Sequence, residues 1–283
     1  MTPDVLTRAL TPQLAQFSRE LARARRGVVR GVHQSRVASR RLREGLGALK
    51  TIVPDDVRRR ALRALREMAR ALGAVRECDV TLALVAAQAT RLDWPATVVA
   101  HVNQSVQTDR ARRHRDLLRV LVGPRRRRAV AQIRLHLPAV ATVELRRAVT
   151  EAAAHRRRMR AVALAKNLRH LGTLYVPDQL HAVRLATKKL RYALEWEQQV
   201  GRRAWVRERQ LLERVQEALG EWHDILILQE RLHRLRRSGD WTRVTTAGLK
   251  HMAAQLEREC RAQHARVLAL CPPLLRLAKA VQR

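Results

Sequence analysis

The chain has 283 residues, 46% of them hydrophobic, which is enough to bury a substantial core and too apolar for a disordered basic tail. Its 58 Lys and Arg against 25 Asp and Glu leave a net charge of +33, a self-repelling surplus that calls for an anionic partner or counterions. Only six of these basic residues are Lys (Lys50, Lys166, Lys188, Lys189, Lys250, Lys279), so 52 are Arg, whose planar fork grips two phosphate oxygens at once and favours phosphate over an acidic protein.

Ala, Leu, Arg and Glu, all strong helix formers, dominate the whole length, so the sequence predicts an all-α protein. In chain order the helices are expected at about 4–26, 31–51, 55–91, 94–122, 125–136, 139–171, 178–200, 202–237 and 241–270. Gly27 and Gly31 flank the first break, and Pro54 followed by Asp55 and Asp56 opens the third helix. Gly123-Pro124, Pro138, the stretch from Gly172 to Pro177 and Ser238-Gly239-Asp240 separate the later ones, and Cys271-Pro272-Pro273 is expected to stop the last.

Several classes are excluded by counts. Aromatic residues make up 3%, too few for the stacking platforms that read unpaired bases. Three cysteines (Cys78, Cys260, Cys271) without CxxC spacing suggest neither a disulfide framework nor a zinc module, and fit a reducing cytoplasm. No apolar run approaches the roughly 20 residues that span a bilayer, and the N-terminus lacks a signal-peptide core, so no membrane insertion is expected.

The most informative feature is internal repetition. Residues 33–43 read HQSRVASRRLR and residues 181–191 read HAVRLATKKLR, an offset of 148 that aligns His, Arg, Ala, Leu and Arg identically. A second match, Leu72-Gly73-Ala74-Val75-Arg76-Glu77 with Leu219-Gly220-Glu221-Trp222-His223-Asp224, falls at offset 147. One domain of two tandem helical-bundle repeats, about 1–137 and 138–283, is expected.

On a wheel at about 100° per residue, His33, Arg36, Arg40 and Arg43 share an arc of about 80°, with Leu42, Leu46 and Leu49 opposite. His181, Arg184, Lys188 and Arg191 form the same stripe opposite Val183, Leu190 and Leu194. Arg41 and Lys189 stand off the stripe and either reach over its edge or face a neighbouring helix. Charge stripes are usually solvated faces. Four adjacent cations nevertheless destabilise a helix by mutual repulsion, and repeating them without an acidic stripe needs a cause. A third stripe, Arg59, Arg63, Arg66 and Arg70, has a mixed counterpart containing Glu213 and Glu217 and carries less weight.

The pattern His-x-x-Arg-x-x-x-basic-basic-Leu-Arg at His33–Arg43, repeated at His181 and running on through Tyr192 to Glu195, resembles the CHAD family, the histidine-containing α-helical domain. The Leu-Gly segments at 72 and 219 fall where that family has them, so the resemblance spans essentially the whole chain. It implies two helical-bundle repeats with pseudo-two-fold symmetry around a basic central channel that binds inorganic polyphosphate. The implied binding residues are His33, Arg36, Arg40, Arg41, Arg43, His181, Arg184, Lys188, Lys189 and Arg191. Glu77 replaces the family's common Asp, and His223-Asp224 its common Asn-Asp; an acid remains at both places.

Physics agrees with that expectation, because a polymer with one charge per monomer and no bases needs a continuous lane of donors and no readout chemistry. Glu195/Glu197 and Glu257/Glu259 mimic a two-residue acid spacing, but on helices their carboxylates diverge by about 200° and cannot share a metal. With no HExxH, phosphate-loop or nucleophile-elbow pattern, the expected role is non-catalytic, with no cofactor and no metal. The rival is general binding of duplex DNA or RNA, which +33 makes unavoidable at low salt. Association with polyphosphate granules and their proteins is compatible with the main expectation. The stripe histidines are expected to be neutral without ligand and to take up protons when a polyanion enters.

Overall fold

A computed structural model describes residues 5–135, 142–201, 204–237, 239 and 241–282, and every regular element among them is an α-helix. They run α1 (Val5–Arg25), α2 (Val29–Ala48), α3 (Asp55–Leu92), α4 (Ala96–Val122), α5 (Pro124–Leu135), α6 (Val143–His170), α7 (Pro177–Val200), α8 (Val206–Arg237) and α9 (Arg243–Ala280). The expected helix starts at residues 4, 139 and 202, the fifth helix's end at 136, the break at Pro138 and the turn residues Ser238 and Asp240 lie outside the described residues.

Two boundary expectations are corrected. The stop at Cys271-Pro272-Pro273 does not occur, and α9 continues through both prolines to Ala280. Each proline removes an N–H from the helix ladder, at a cost of about 3 kcal/mol. Beyond them, however, Leu274, Leu277, Ala278 and Val281 are buried, and burial of each larger apolar side chain returns about 1.5–3 kcal/mol. Gly31 likewise lies inside α2 instead of in the break, because a Cβ there would come within 2.5 Å of the Arg23 Cβ where α2 crosses the end of α1. The break itself is made by Gly27, whose φ of +78° suits a residue without a side chain.

Neighbouring helices pack in the same order along each part of the chain: α1 on α2, α2 on α3 and α3 on α4, then α6 on α7, α7 on α8 and α8 on α9. Across these sets α2 meets α7 and α3 meets α8. Two apolar cores result. One gathers α1, α2, the first part of α3 as far as Val75, and Trp196 and Val200 at the end of α7; the other takes α3 from Cys78 onward, the start of α4 and most of α6 to α9.

Buried ion pairs also join the helices. Arg231 on α8 reaches Asp109 on α4 at 2.8 Å, and Arg110 reaches Asp79 on α3 at 2.6 Å. Arg157 on α6 is buried against Glu197 on α7 at 3.0 Å, and Trp205 donates to the same carboxylate at 2.9 Å. Ion pairs hold these groups together, although Asp79 Oδ2 and Arg231 Nε remain buried without a partner.

Candidate functional site

The two motif helices α2 and α7 touch along their basic stripes. Helices approach closely when small residues face the partner, and α2 ends on Gly45-Leu46-Gly47. A Cβ on Gly45 would lie 2.9 Å from the Trp196 ring of α7, and one on Gly47 would lie 2.5 Å from the Arg156 guanidinium of α6. Leu42 and Leu46 are buried beneath the stripe, as are Val183, Leu190 and Leu194 on α7, so the stripe has no freedom to rotate away. Gly73 on α3 leaves room above itself for Arg36, whose guanidinium carbon is 3.9 Å from where a Cβ would stand.

These constraints bring His33, Arg36, Arg40, Arg43, His181, Arg184 and Lys188 into one neighbourhood, joined by Arg76 from α3 and by His223 and Asp224 from α8. None of Arg36, Arg40, Arg43, Arg76, Arg184 and Lys188 forms an ion pair among the described residues. The Nε atom of Arg184 and the Nδ1 atom of His223 are buried without a hydrogen-bond partner there. The His181 and His223 rings stand 5.2 Å apart.

The electrostatic consequence is large. Burial, reinforced by Arg184, Arg40 and Arg36, pulls the Lys188 ammonium down to about 6, with Asp224 only partly opposing it. Burial and Arg40 lower Arg36 to about 10, and burial also lowers Arg184 to about 10 against the pull of Asp224; both stay charged at neutral pH. His33 is lowered by burial, Arg76, Arg36, Arg40 and Lys188, and His181 by burial, Arg184 and Lys188. His223 is pushed to about 3 by burial and the same cations. Asp224 is raised by burial although Arg184, Lys188, Arg76 and Arg36 all act to ionise it. The site is thus held below its full positive charge by its own crowding.

Arg41, off the main stripe, and Arg191, at the end of the α7 stripe, behave differently because both are paired. Arg41 donates to the buried Glu195 of α7 at 2.9 Å, and Arg191 reaches the other oxygen of that carboxylate at 2.8 Å. Arg191 also lies 4.8 Å over the Tyr192 ring and 3.7 Å from Glu213. On the opposite flank Glu44 of α2, 6% exposed, receives Arg156 at 2.6 Å and Arg160 at 2.8 Å, with Lys189 facing the same group. Two buried carboxylates therefore fasten α2 beside the unpaired residues, Glu195 to α7 and Glu44 to α6.

Beside the crossing opens a cavity of about 490 Å³ lined by Arg40, Arg43, Arg66, Arg160, Lys188 and Lys189, among others. Arg58 and Arg66 also line a second cavity of about 600 Å³, where Arg59 and Arg63 stand. Arg59 is paired with Asp55 at 3.0 Å, and Arg70 is exposed further along α3. Sequence reasoning overlooked Arg76, Arg156 and Arg160. Arg76 sits inside the quoted Leu-Gly match and was within reach; the α6 arginines were not, since nothing in their spacing marks them.

An all-α protein with two like basic helices crossed at a half-buried cationic cluster is the class this geometry defines. The sequence profile of the CHAD domain matches residues 8–233, and the chain belongs to that family, which is associated with triphosphate and polyphosphate binding. Among solved structures it is similar to the crystal structure of the CHAD domain from the plant Ricinus communis, with a TM-score of 0.69 and 21% identity over 93% of this chain and 89% of that one. It is also similar to PptA from Streptomyces chartreusis, with a TM-score of 0.69 and 20% identity over 95% of this chain and 99% of that one. At these identities the likeness concerns the fold. No curated protein matches the sequence.

Proposed function

We propose that the protein binds inorganic polyphosphate, without catalysis, along a basic lane centred on the α2–α7 crossing. The observation that carries this reading is the half-buried cluster of Arg36, Arg40, Arg184 and Lys188, which has no ion-pair partner among the described residues and keeps an orphaned donor on Arg184. Crowding the guanidinium groups there without an ion pair, at the expense of the Lys188 proton, is unfavourable, and an anionic ligand relieves it. In this reading the two halves, about 1–137 and 138–283, are repeats related by pseudo-two-fold symmetry that grip a linear polymer from both sides.

His33, Arg36, Arg40, Arg43, His181, Arg184 and Lys188 form the centre of the lane. Lys189 widens it, and Arg41 and Arg191, held by Glu195, contribute chiefly to its field. Arg66 links the centre to Arg63, Arg59 and Arg70, which extend the lane along α3. The counterpart face of α8 carries Glu213 and Glu217, so the extension is one-sided. In the cytoplasm this binding would bring the protein to polyphosphate granules and their proteins, and nucleic acid would compete only at low salt.

The test is the salt dependence of long-chain polyphosphate affinity for the wild type and for Arg36→Ala/Arg40→Ala/Arg184→Ala/Lys188→Ala. Each phosphate neutralised contributes roughly 0.7 to 0.9 to the log–log salt slope, so removing four contacts should flatten it by about 3. A helical variant with the wild-type slope would overturn the reading.

A further inference from the structure

Arginine so dominates the basic residues, 52 of 58, that each lysine stands out. Five of the six lysines are exposed, and Lys188 is the one that is half-buried. In the first repeat the matching position, 148 residues earlier, is Arg40. The two side chains differ in one chemical respect: a guanidinium keeps its proton throughout the pH range of proteins, while a crowded ammonium gives its proton up and becomes a nucleophilic amine. A lane that needs only cations has no use for that difference.

The geometry makes Lys188 such an amine and places a cavity beside it. Arg36 and Arg40 of α2 and Arg184 of its own helix crowd it, Asp224 of α8 opposes them only in part, and together with burial they pull its ammonium down to about 6. The histidines that share the crossing, His33, His181 and His223, are lowered as well and stay neutral beside it. The same lysine lines the cavity of about 490 Å³ at the crossing, a size usual for small-molecule sites. On the cavity wall Arg156 and Arg160 are taken up by Glu44, whereas Arg40, Arg43 and Arg66 form no ion pair among the described residues. Guanidinium forks beside an amine hold a phosphate by its oxygens and bring whatever that phosphate carries within reach of the nitrogen.

A phosphate on the arginines with an electrophilic carbon next to it is an acyl phosphate. We propose that the cavity beside the crossing is an acyl-phosphate site, and that the Lys188 amine takes the acyl group there and becomes an amide. The nitrogen bonds to the acyl carbon, the bond from that carbon to the phosphate oxygen breaks, and inorganic phosphate leaves with the electron pair and the nitrogen's proton. Nothing is oxidised or reduced. The amide carries no charge at any pH and cannot regain the proton that a polyanion restores to Lys188. That consequence rests on the polyphosphate reading: acylation takes one cation out of the lane, so the lane would respond to the supply of acyl phosphate. The acylation itself needs only the cavity and the amine.

The test is mass spectrometry of acetylated lysines in the wild-type chain during exposure to acetyl phosphate, with the exposed Lys50, Lys166, Lys250 and Lys279 as references in the same molecule. Lys188 should react at least about tenfold faster than any of them at neutral pH. Its rate should saturate with acetyl phosphate and be slowed by inorganic phosphate, and it should level off above about pH 7, where an exposed lysine still gains about tenfold per unit. Arg43→Ala/Arg66→Ala separates holding from activation, because those arginines line the cavity while Arg184, Arg40 and Arg36 set the Lys188 proton. In that variant the half-saturating acetyl phosphate should rise by roughly fivefold or more with the pH plateau still in place. Equal rates at Lys188 and the exposed lysines, a Lys188 rate that neither saturates nor responds to inorganic phosphate, or an unchanged half-saturation in the variant would each overturn the inference. None of these readouts uses polyphosphate, so failure here leaves the lane standing. The lane enters only afterwards: protein acetylated at Lys188 should bind long-chain polyphosphate with a log–log salt slope flatter by roughly 0.7 to 0.9, one contact's worth. A selective, saturable acetylation that leaves this slope unchanged would count against the lane's use of Lys188 and in favour of the acyl-phosphate site alone.

Discussion

The arginines at the start of α3 and those at the α2–α7 crossing are the same side chain in opposite circumstances. On α3, Arg59 pairs with Asp55 and Arg60 with Asp56, each within one turn of its own helix and beside solvent. At the crossing, Arg36, Arg40 and Arg184 are packed among one another and Lys188, with Asp224 facing them and no ion pair formed among the described residues. Exposed pairs of the first kind contribute little to stability and are weakened by salt. The second arrangement is unfavourable by itself and becomes favourable when an anion arrives. What an arginine does in this molecule depends on whether the fold supplies it with a carboxylate.

That contrast can be broken most directly at the carboxylates that fasten α2. Glu44→Gln leaves Arg156 and Arg160 without their partner, and it should destabilise the protein by about 3 kcal/mol in denaturant melts while sparing residual lane chemistry. A smaller loss, about 1–3 kcal/mol, is expected from Gly45→Ala, whose Cβ would press on the Trp196 ring at 2.9 Å.

The pH response sharpens the comparison further. Lys188 has a folded value of about 6 against an ordinary 10.5, so between those limits the unfolded chain holds a proton that the free folded protein lacks. The Lys188 share of stability should therefore fall as pH drops through that interval and level off below about 6, while His223, with a folded value of about 3, and the lowered His33 and His181 carry the fall on into more acid solution. A bound polyanion restores the proton. Polyphosphate should bind tighter at pH 6 than at pH 8, with uptake near one proton at pH 7–8 and a diminishing Lys188 share below 6. His33 and His181, both lowered, add to the uptake in the acid part of the range. Calorimetry across buffers of different ionisation enthalpy measures this directly, and zero uptake would refute it. The smallest effect belongs to the exposed pairs: Arg147→Ala should leave the denaturation midpoint essentially unchanged and polyphosphate affinity within about twofold.

Much of this was legible in the chain. Helix content and order follow from composition and the spacing of glycine and proline, and the stripe His33, Arg36, Arg40, Arg43 is visible on a wheel because its apolar opposite face is so regular. Pro272-Pro273 misled because a local rule met a tertiary one: the stop signal is real, and burial of Leu274 and Leu277 overrides it. Arg41 and Arg191 show another limit. Their position in the motif is plain, but their sharing of Glu195 depends on where α7 lies against α2, which one-dimensional periodicity does not contain. Arg156 and Arg160 enter the basic cavity only through the docking of α6 and carry no motif at all.

The central claim is that the unpaired cationic crossing, and not the general surplus of arginine, recognises the polymer. The most direct measurement compares long-chain polyphosphate with duplex DNA and RNA at about physiological ionic strength, where screening suppresses diffuse attraction. It uses the wild type and the variant carrying Ala at Arg36, Arg40, Arg184 and Lys188. A wild-type preference for polyphosphate by orders of magnitude, lost in a variant that stays helical, is the predicted result. Equal binding of all three polymers, unchanged in the variant, would contradict it.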